Sequence, residues 1–138
     1  MWIDSRQSIH RQFILPEATV PASVVLGAQW GDEGKGKAID QLANHSTWTV
    51  RFQGGNNAGH TIVHGDTTLK LHQIPSGISY EHCNLVLGDG IVIDPWVLEE
   101  ELDKWHDLTG ERPEGKRLFI SERASIILPF HRLYDSAD

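Results

Sequence analysis

The sequence predicts an α/β fold with a mostly parallel sheet, built around a strand, a glycine-rich loop and a helix, and incomplete at its carboxyl end. Three observations carry this. Val24-Val25-Leu26 is a short apolar run that meets the glycine-rich stretch Gly27–Lys37. A second strand-like segment, Thr47–Gln53, runs into another glycine-rich loop, Gly54–Thr61. Further short apolar runs then alternate with one strongly marked helix, the pattern of a layered α/β domain.

Residues 1–21 precede the first convincing strand. Phe13-Ile14-Leu15 is too short for a signal-peptide core and no small-residue cleavage site follows, so the segment reads as a flexible extension ending at Pro21. Residues 22–138 read as one α/β unit.

After Val24–Leu26, the spacing Gly31-x-x-x-x-Gly36-Lys37 fits the first seven positions of a phosphate-binding P-loop. Its glycines let main-chain N–H groups turn toward an anion, the following helix adds its positive end, and lysine supplies a point charge. The eighth position, normally a magnesium-binding Ser or Thr, is Ala38. Asp32, within the loop, is the natural substitute, because Mg²⁺ prefers carboxylate oxygens. Beyond Lys37 the apolar residues Ile39, Leu42 and Ala43 recur at helical spacing.

Trp48, Val50 and Phe52 alternate with Thr49 and Arg51, as in a half-buried strand. The loop after it, GGNNAGHT, is polar and rich in donors, and it ends on His60-Thr61. Loops that follow strands in an open α/β sheet line its ligand crevice, so the two glycine-rich loops are expected to face one site. Thr61–Val63 and Thr68–His72 form a hairpin around His64-Gly65-Asp66. Asn84–Leu87 and Ile91–Ile93 read as two strands separated by a turn at Gly88-Asp89-Gly90. Asp94-Pro95 starts a helix, with Asp as cap and Pro at its first position. Leu98, Leu102 and Trp105 are its apolar stripe, and Glu99, Glu100 and Glu101 read as a solvated face. Gly110 and Pro113 close it, and Leu118–Ile120 is a further strand.

The 138 residues carry a formal net charge of −7, with 39% apolar and 22% charged residues. That balance argues against a nucleic-acid binder working through a basic face, but not against nucleotide binding, which needs only local cations. The single Cys83 excludes an internal disulfide and is consistent with a reducing compartment. No apolar run approaches the roughly 18 residues of a membrane span. No His or Cys spacing points to zinc, and of the eight histidines only His60 stands in a loop that looks built for a ligand.

Taken together, VVLGAQWGDEGKGK (24–37), RFQGGNNAGHT (51–61), LHQIPSGI (71–78) and GDGIVIDP (88–95) resemble the amino-terminal part of the adenylosuccinate synthetase family, in order and in spacing. The resemblance runs from about Ser23 to the end of the chain. It implies a cytoplasmic, GTP-dependent ligase that joins IMP to L-aspartate, giving adenylosuccinate, GDP and phosphate on the route to AMP. It implies Mg²⁺ as cofactor and a homodimer when the chain is full length. By the same match, Asp32 is the base and His60 the acid. GTP is held by Gly31, Asp32, Glu33, Gly34, Lys35, Gly36, Lys37, Gly59, His60 and Thr61. IMP is held by Asp32, Glu33, Gly34, Lys35, Asn57, Ala58, Gly59 and His60, and the metal by Asp32 and Gly59.

Two positions depart from the family pattern: Asp89 stands where Asn is usual, and Ser125 where histidine is common. Family members are also far longer. The 138-residue span alone is therefore expected to be inactive. One alternative is a nucleotide-binding fragment without ligase activity. The other is a viral-type relative acting on dGMP, a branch that tends to replace the loop aspartate, whereas Asp32 is present here.

Overall fold

The computed structural model describes residues 22–27 and 34–131. The chain divides into two compact units, Met1–Lys35 and Gly36–Asp138. In the first unit, the expected extension over residues 1–21 lies outside the described residues. Val24–Leu26, expected as a strand, has no regular secondary structure, and Val24 and Leu26 are each 69% exposed. An apolar triplet becomes a strand only where a neighbouring strand satisfies its main-chain groups, and no described strand pairs with this one.

The second unit holds nearly all the regular structure. Helix α1 spans Lys35–Ala43, starting before the apolar spacing that begins at Ile39. Strand β1 (Trp48–Gly54) leads through the second glycine-rich loop to the antiparallel hairpin of β2 (His60–His64) and β3 (Thr67–Leu71). The hairpin turns at Gly65, whose φ of 58° suits glycine. A short 3-10 turn, Ser76–Ser79, follows, then β4 (Asn84–Ile93), α2 (Pro95–Thr109), β5 (Leu118–Ile120) and β6 (Ser125–Ile126). The main sheet has the order β1-β4-β5, all parallel, with β6 also pairing parallel to β4.

β4 is one continuous strand, not two strands around a turn. Between Arg51↔Leu87 and Gln53↔Gly90, the ladder advances one residue further on β4 than on β1, so the extra residue is absorbed as a bulge. The glycines serve close approach instead. A Cβ on Gly90 would stand 2.6 Å from the Phe52 carbonyl oxygen, and one on Gly88 would stand 3.3 Å from the Phe52 Cα. Asp89, between them, is exposed; it accepts from Ser121 Oγ at 2.5 Å and pairs with Arg123.

α2 follows its sequence signals. Asp94 Oδ1 accepts from the N–H groups of Trp96 and Val97 at 3.2 and 3.4 Å, Pro95 opens the helix, and Gly110 ends it in the left-handed conformation at φ 73°. Its Leu98, Leu102 and Trp105 pack with Leu85, Leu87, Ile91 and Ile93 of β4, Leu118 of β5, and Ile62, Leu71, Ile74 and Ile78. This core lies on one face of the main sheet. Along β1 the expected alternation is present but inverted. Trp48, Val50 and Phe52 are exposed, and Thr49 and Arg51 take the inner positions. Trp48 packs against Phe119 on that outer face, the rings tilted by 42° with centroids 5.4 Å apart. No described element covers these side chains, so apolar character alone does not bury them.

A charged side chain fixes the far end of the core. Arg117, 7% exposed, donates to the carbonyls of Cys83 (3.1 Å) and Ile78 (2.8 Å) and grips both carboxylate oxygens of Glu111 (2.8 and 2.9 Å). The guanidinium holds the Glu111 carboxyl below the usual carboxylate range. Glu111 also accepts from Trp105 Nε1 at 3.1 Å, which ties the end of α2 to β5.

Candidate functional site

The loop between β1 and β2 is anchored at its base and open at its tip. Gly54 adopts φ 100°, a conformation that favours glycine. The Arg51 guanidinium donates to the Gly55 carbonyl at 2.9 Å. The Asn56 side-chain amide donates to Asp94 Oδ2 at 3.1 Å, so Asp94 caps α2 with one oxygen and holds the loop with the other. Gln73 locks this corner by donating to the Asp94 carbonyl at 2.7 Å and accepting from the Asp94 N–H at 3.0 Å. Beyond Asn56, residues Asn57, Ala58 and Gly59 are exposed. A polar loop rooted this firmly can present main-chain groups to a ligand at little ordering cost.

Gly59 lies under two side chains. A Cβ there would stand 2.7 Å from Lys70 Cε and 3.2 Å from His72 Nε2, so only glycine fits without displacing them. An open cleft of about 230 Å³ lies alongside, lined by Asn56, Lys70, His72, Val97, Glu101 and Lys104.

His60 opens β2 and is only partly exposed. Burial first, then the neighbouring Arg51 charge, push its imidazole down to about 4, against a weaker opposing effect from a hydrogen bond to the Ile74 backbone. The ring is therefore neutral at pH 7. Its Nε2 is buried and has no hydrogen-bond partner among the described residues. A buried polar atom without a partner is costly, and a bound ligand is one group that could satisfy it. A histidine whose folded pKa lies below its unfolded value stabilises the fold when unprotonated. That contribution is complete above pH 6.5 and is lost as the pH falls from 6.5 toward about 4. In metal-free protein, urea melts across this range should show the loss, and His60→Gln should flatten it; an unchanged slope in the variant would remove His60 as its source.

Gly36, in the first turn of α1, lies against the start of β2. A Cβ on it would stand 3.4 Å from His60 Cβ and 4.0 Å from the Thr61 carbonyl oxygen. The structure thus brings together Gly36, His60 and Thr61, one residue from the first predicted loop and two from the second. Lys37 is exposed on the same first turn. In the other unit, Gly34 takes φ 77° and Lys35 opens the helix. Gly31, Asp32 and Glu33 lie outside the described residues. No group of three or more His, Cys, Asp or Glu side chains gathers to hold a metal among the described residues.

Sequence reasoning missed the support beneath the loop. Glu101, expected on a solvated face with Glu99 and Glu100, is 2% exposed and faces inward. His72, expected on a strand, sits just past β3 beside Gly59. One signal was available: on the helical wheel Glu101 lies next to Trp105, at the edge of the stripe formed by Leu98, Leu102 and Trp105, whereas Glu99 and Glu100 lie farther from it.

The family model described as adenylosuccinate synthetase matches residues 24–138. The chain belongs to the adenylosuccinate synthetase family. It is 57% identical over 114 residues to the adenylosuccinate synthetase of Clostridium novyi and 54% identical to that of Clostridium botulinum, in each case over 83% of this chain and 26% of the relative. Among solved structures it is similar to the fully ligated adenylosuccinate synthetase of Plasmodium falciparum (TM-score 0.71, 45% identity, 81% of this chain and 25% of that one). It is also similar to the succinoaminodeoxyadenylate synthetase of cyanophage S-2L, bound to dGMP and dATP as an energy donor (TM-score 0.59, 30% identity, 79% of this chain and 30% of that one). The chain thus spans about a quarter of the length of the curated relatives that it matches.

Proposed function

We propose that this chain forms the phosphate, magnesium and hypoxanthine corner of a GTP-dependent adenylosuccinate synthetase, a ligase that joins IMP to L-aspartate. The observation that carries the proposal is the packing of Gly36 against His60 and Thr61, which sets the end of the P-loop-like stretch beside the second loop within a family member.

The chemistry gives each group a task. The hypoxanthine C6 oxygen is a poor leaving group. Transfer of the GTP γ-phosphoryl group to it makes a good one, which the amine of aspartate displaces. Attack by O6 requires loss of the N1 proton, and Asp32 takes that proton. A free aspartate titrates near 3.9, so it is ionised at neutral pH and accepts a proton once positioned. Gly31 to Lys37 and Gly59 to Thr61 hold GTP, with main-chain N–H groups toward the phosphates and Lys35 and Lys37 as point charges. His60, neutral without ligand, becomes easier to protonate when phosphate charge arrives beside its buried Nε2, and it then stabilises the transferring group.

The donors proposed for Mg²⁺ fit it: the Asp32 carboxylate and the Gly59 carbonyl are hard oxygen ligands, and this ion is commonly held by one or two protein groups plus substrate phosphates. When bound, it neutralises phosphate charge during the transfer. The whole protein is proposed to be a cytoplasmic homodimer. A substrate of the dGMP type is the second reading, favoured by the likeness to the cyanophage protein. Asp32 and the greater similarity to the Plasmodium protein favour IMP.

Residues 1–138 alone, given GTP, IMP, L-aspartate and Mg²⁺, are expected to form no measurable adenylosuccinate by absorbance. Three substrates must be held together, and proximity is worth on the order of 7–11 kcal/mol in favourable cases. Turnover comparable to an intact synthetase would overturn the assignment of this span to one corner of the site.

A further inference from the structure

Besides the Asp94 cap that holds Asn56, helix α2 reaches the Gly59 loop through a second buried carboxylate. Glu101 lies in its middle, and its two oxygens accept three consecutive main-chain N–H groups: His72, Gln73 (3.1 Å to Oε2) and Ile74 (3.0 Å). The same carboxylate lies 3.3 Å from His72 Nδ1. A carboxylate so enclosed keeps its charge only while its acceptor sites are filled, so its partners are held in place with it. With Nδ1 turned to Glu101, the opposite edge of the ring, Cδ2 and Nε2, faces Gly59, each 3.2 Å from where a Cβ would stand. The ring cannot swing off the loop without leaving the carboxylate.

We infer that His72, oriented by Glu101, is a positioning residue that sets the main chain at Gly59. This rests on the reading of that loop as a ligand site. The three main-chain bonds to Glu101 shape the turn after β3 whatever stands at position 72. The imidazole is a separate link, from α2 through Glu101 and His72 to Gly59. A neutral imidazole in this arrangement carries its proton on Nδ1, because the carboxylate can only accept. Small shifts in a main-chain group that contacts reacting phosphate are costly, so a locked ring against Gly59 has a use that packing alone does not require.

His72→Phe separates the two roles, since it keeps the ring volume and leaves the main-chain bonds to Glu101. The expected result is unchanged hydrogen exchange at Gln73 and Ile74, with exchange at Ala58, Gly59 and His60 faster by about tenfold or more, the size of losing one buried contact. In the parent chain with its imidazoles neutral, the ¹⁵N resonances of His72 should show the proton on Nδ1, and Glu101→Gln should weaken that preference. A ring proton on Nε2 in the parent, or loop exchange unaltered in His72→Phe, would overturn the inference. Titration with GTP and Mg²⁺ tests the underlying reading separately. Faster loop exchange with no effect on nucleotide affinity would uphold the positioning of Gly59 and count against the loop as a ligand site.

Discussion

Asp32→Asn, placed in a full-length form of this protein, is expected to lower the ligation rate by roughly 10²–10⁴-fold, the size of a general-base contribution, with any loss of metal binding added to it. The amide keeps the shape of the side chain and a hydrogen-bonding oxygen but cannot take the N1 proton. GTP affinity should fall less, because the proposed phosphate contacts come mostly from main-chain N–H groups. Initial rates at saturating substrates, with KM for GTP measured alongside, check both parts. Near-normal turnover would remove Asp32 from the mechanism.

Arg117→Ala is expected to have the largest effect on stability, about 3 kcal/mol by urea denaturation, because it leaves a partly buried carboxylate without its counter-charge and two main-chain carbonyls without their donor. It strands the Glu111 carboxylate and two main-chain carbonyls, those of Cys83 and Ile78, which the Arg117 side chain ties to the start of β5. Glu111→Gln should cost less, since the amide can still accept from Arg117 and the guanidinium keeps both carbonyls. Equal losses in the two variants would show that the ion pair, and not the carbonyl contacts, carries the effect.

The parts of the fold that follow from local chemistry were legible in the sequence. Asp94-Pro95 and Gly110 mark the ends of α2 because a cap oxygen, a preset φ and a left-handed residue are needed there. The β2–β3 hairpin was legible from two strand-like runs on either side of His64-Gly65-Asp66. What failed were inferences that turn on a partner elsewhere in the chain. Gly88-Asp89-Gly90 has the composition of a turn, yet β1 passes so close that glycine is needed inside a strand. Val24–Leu26 has strand composition but pairs with no described strand. Trp48, Val50 and Phe52 show the right period, but the period does not say on which side of the sheet the core lies.

The candidate site divides in the same way. His60 stood out in the sequence because it ends a polar, donor-rich loop, and the structure places it partly buried at the start of β2. The contact of Gly36 with His60 is a matter of tertiary packing, and the sequence offered only the expectation that loops following strands share a crevice. Glu101 was hidden among three consecutive glutamates, of which only helical phase distinguishes the buried one.

Joining residues 1–138 to the remaining three quarters of the Clostridium novyi synthetase, with which this chain is 57% identical over the shared segment, tests the central claim most directly. The chimera should form adenylosuccinate from IMP and L-aspartate, with strict dependence on GTP and Mg²⁺. A folded chimera that binds GTP but makes no adenylosuccinate, or that accepts dGMP in place of IMP, would contradict the assignment.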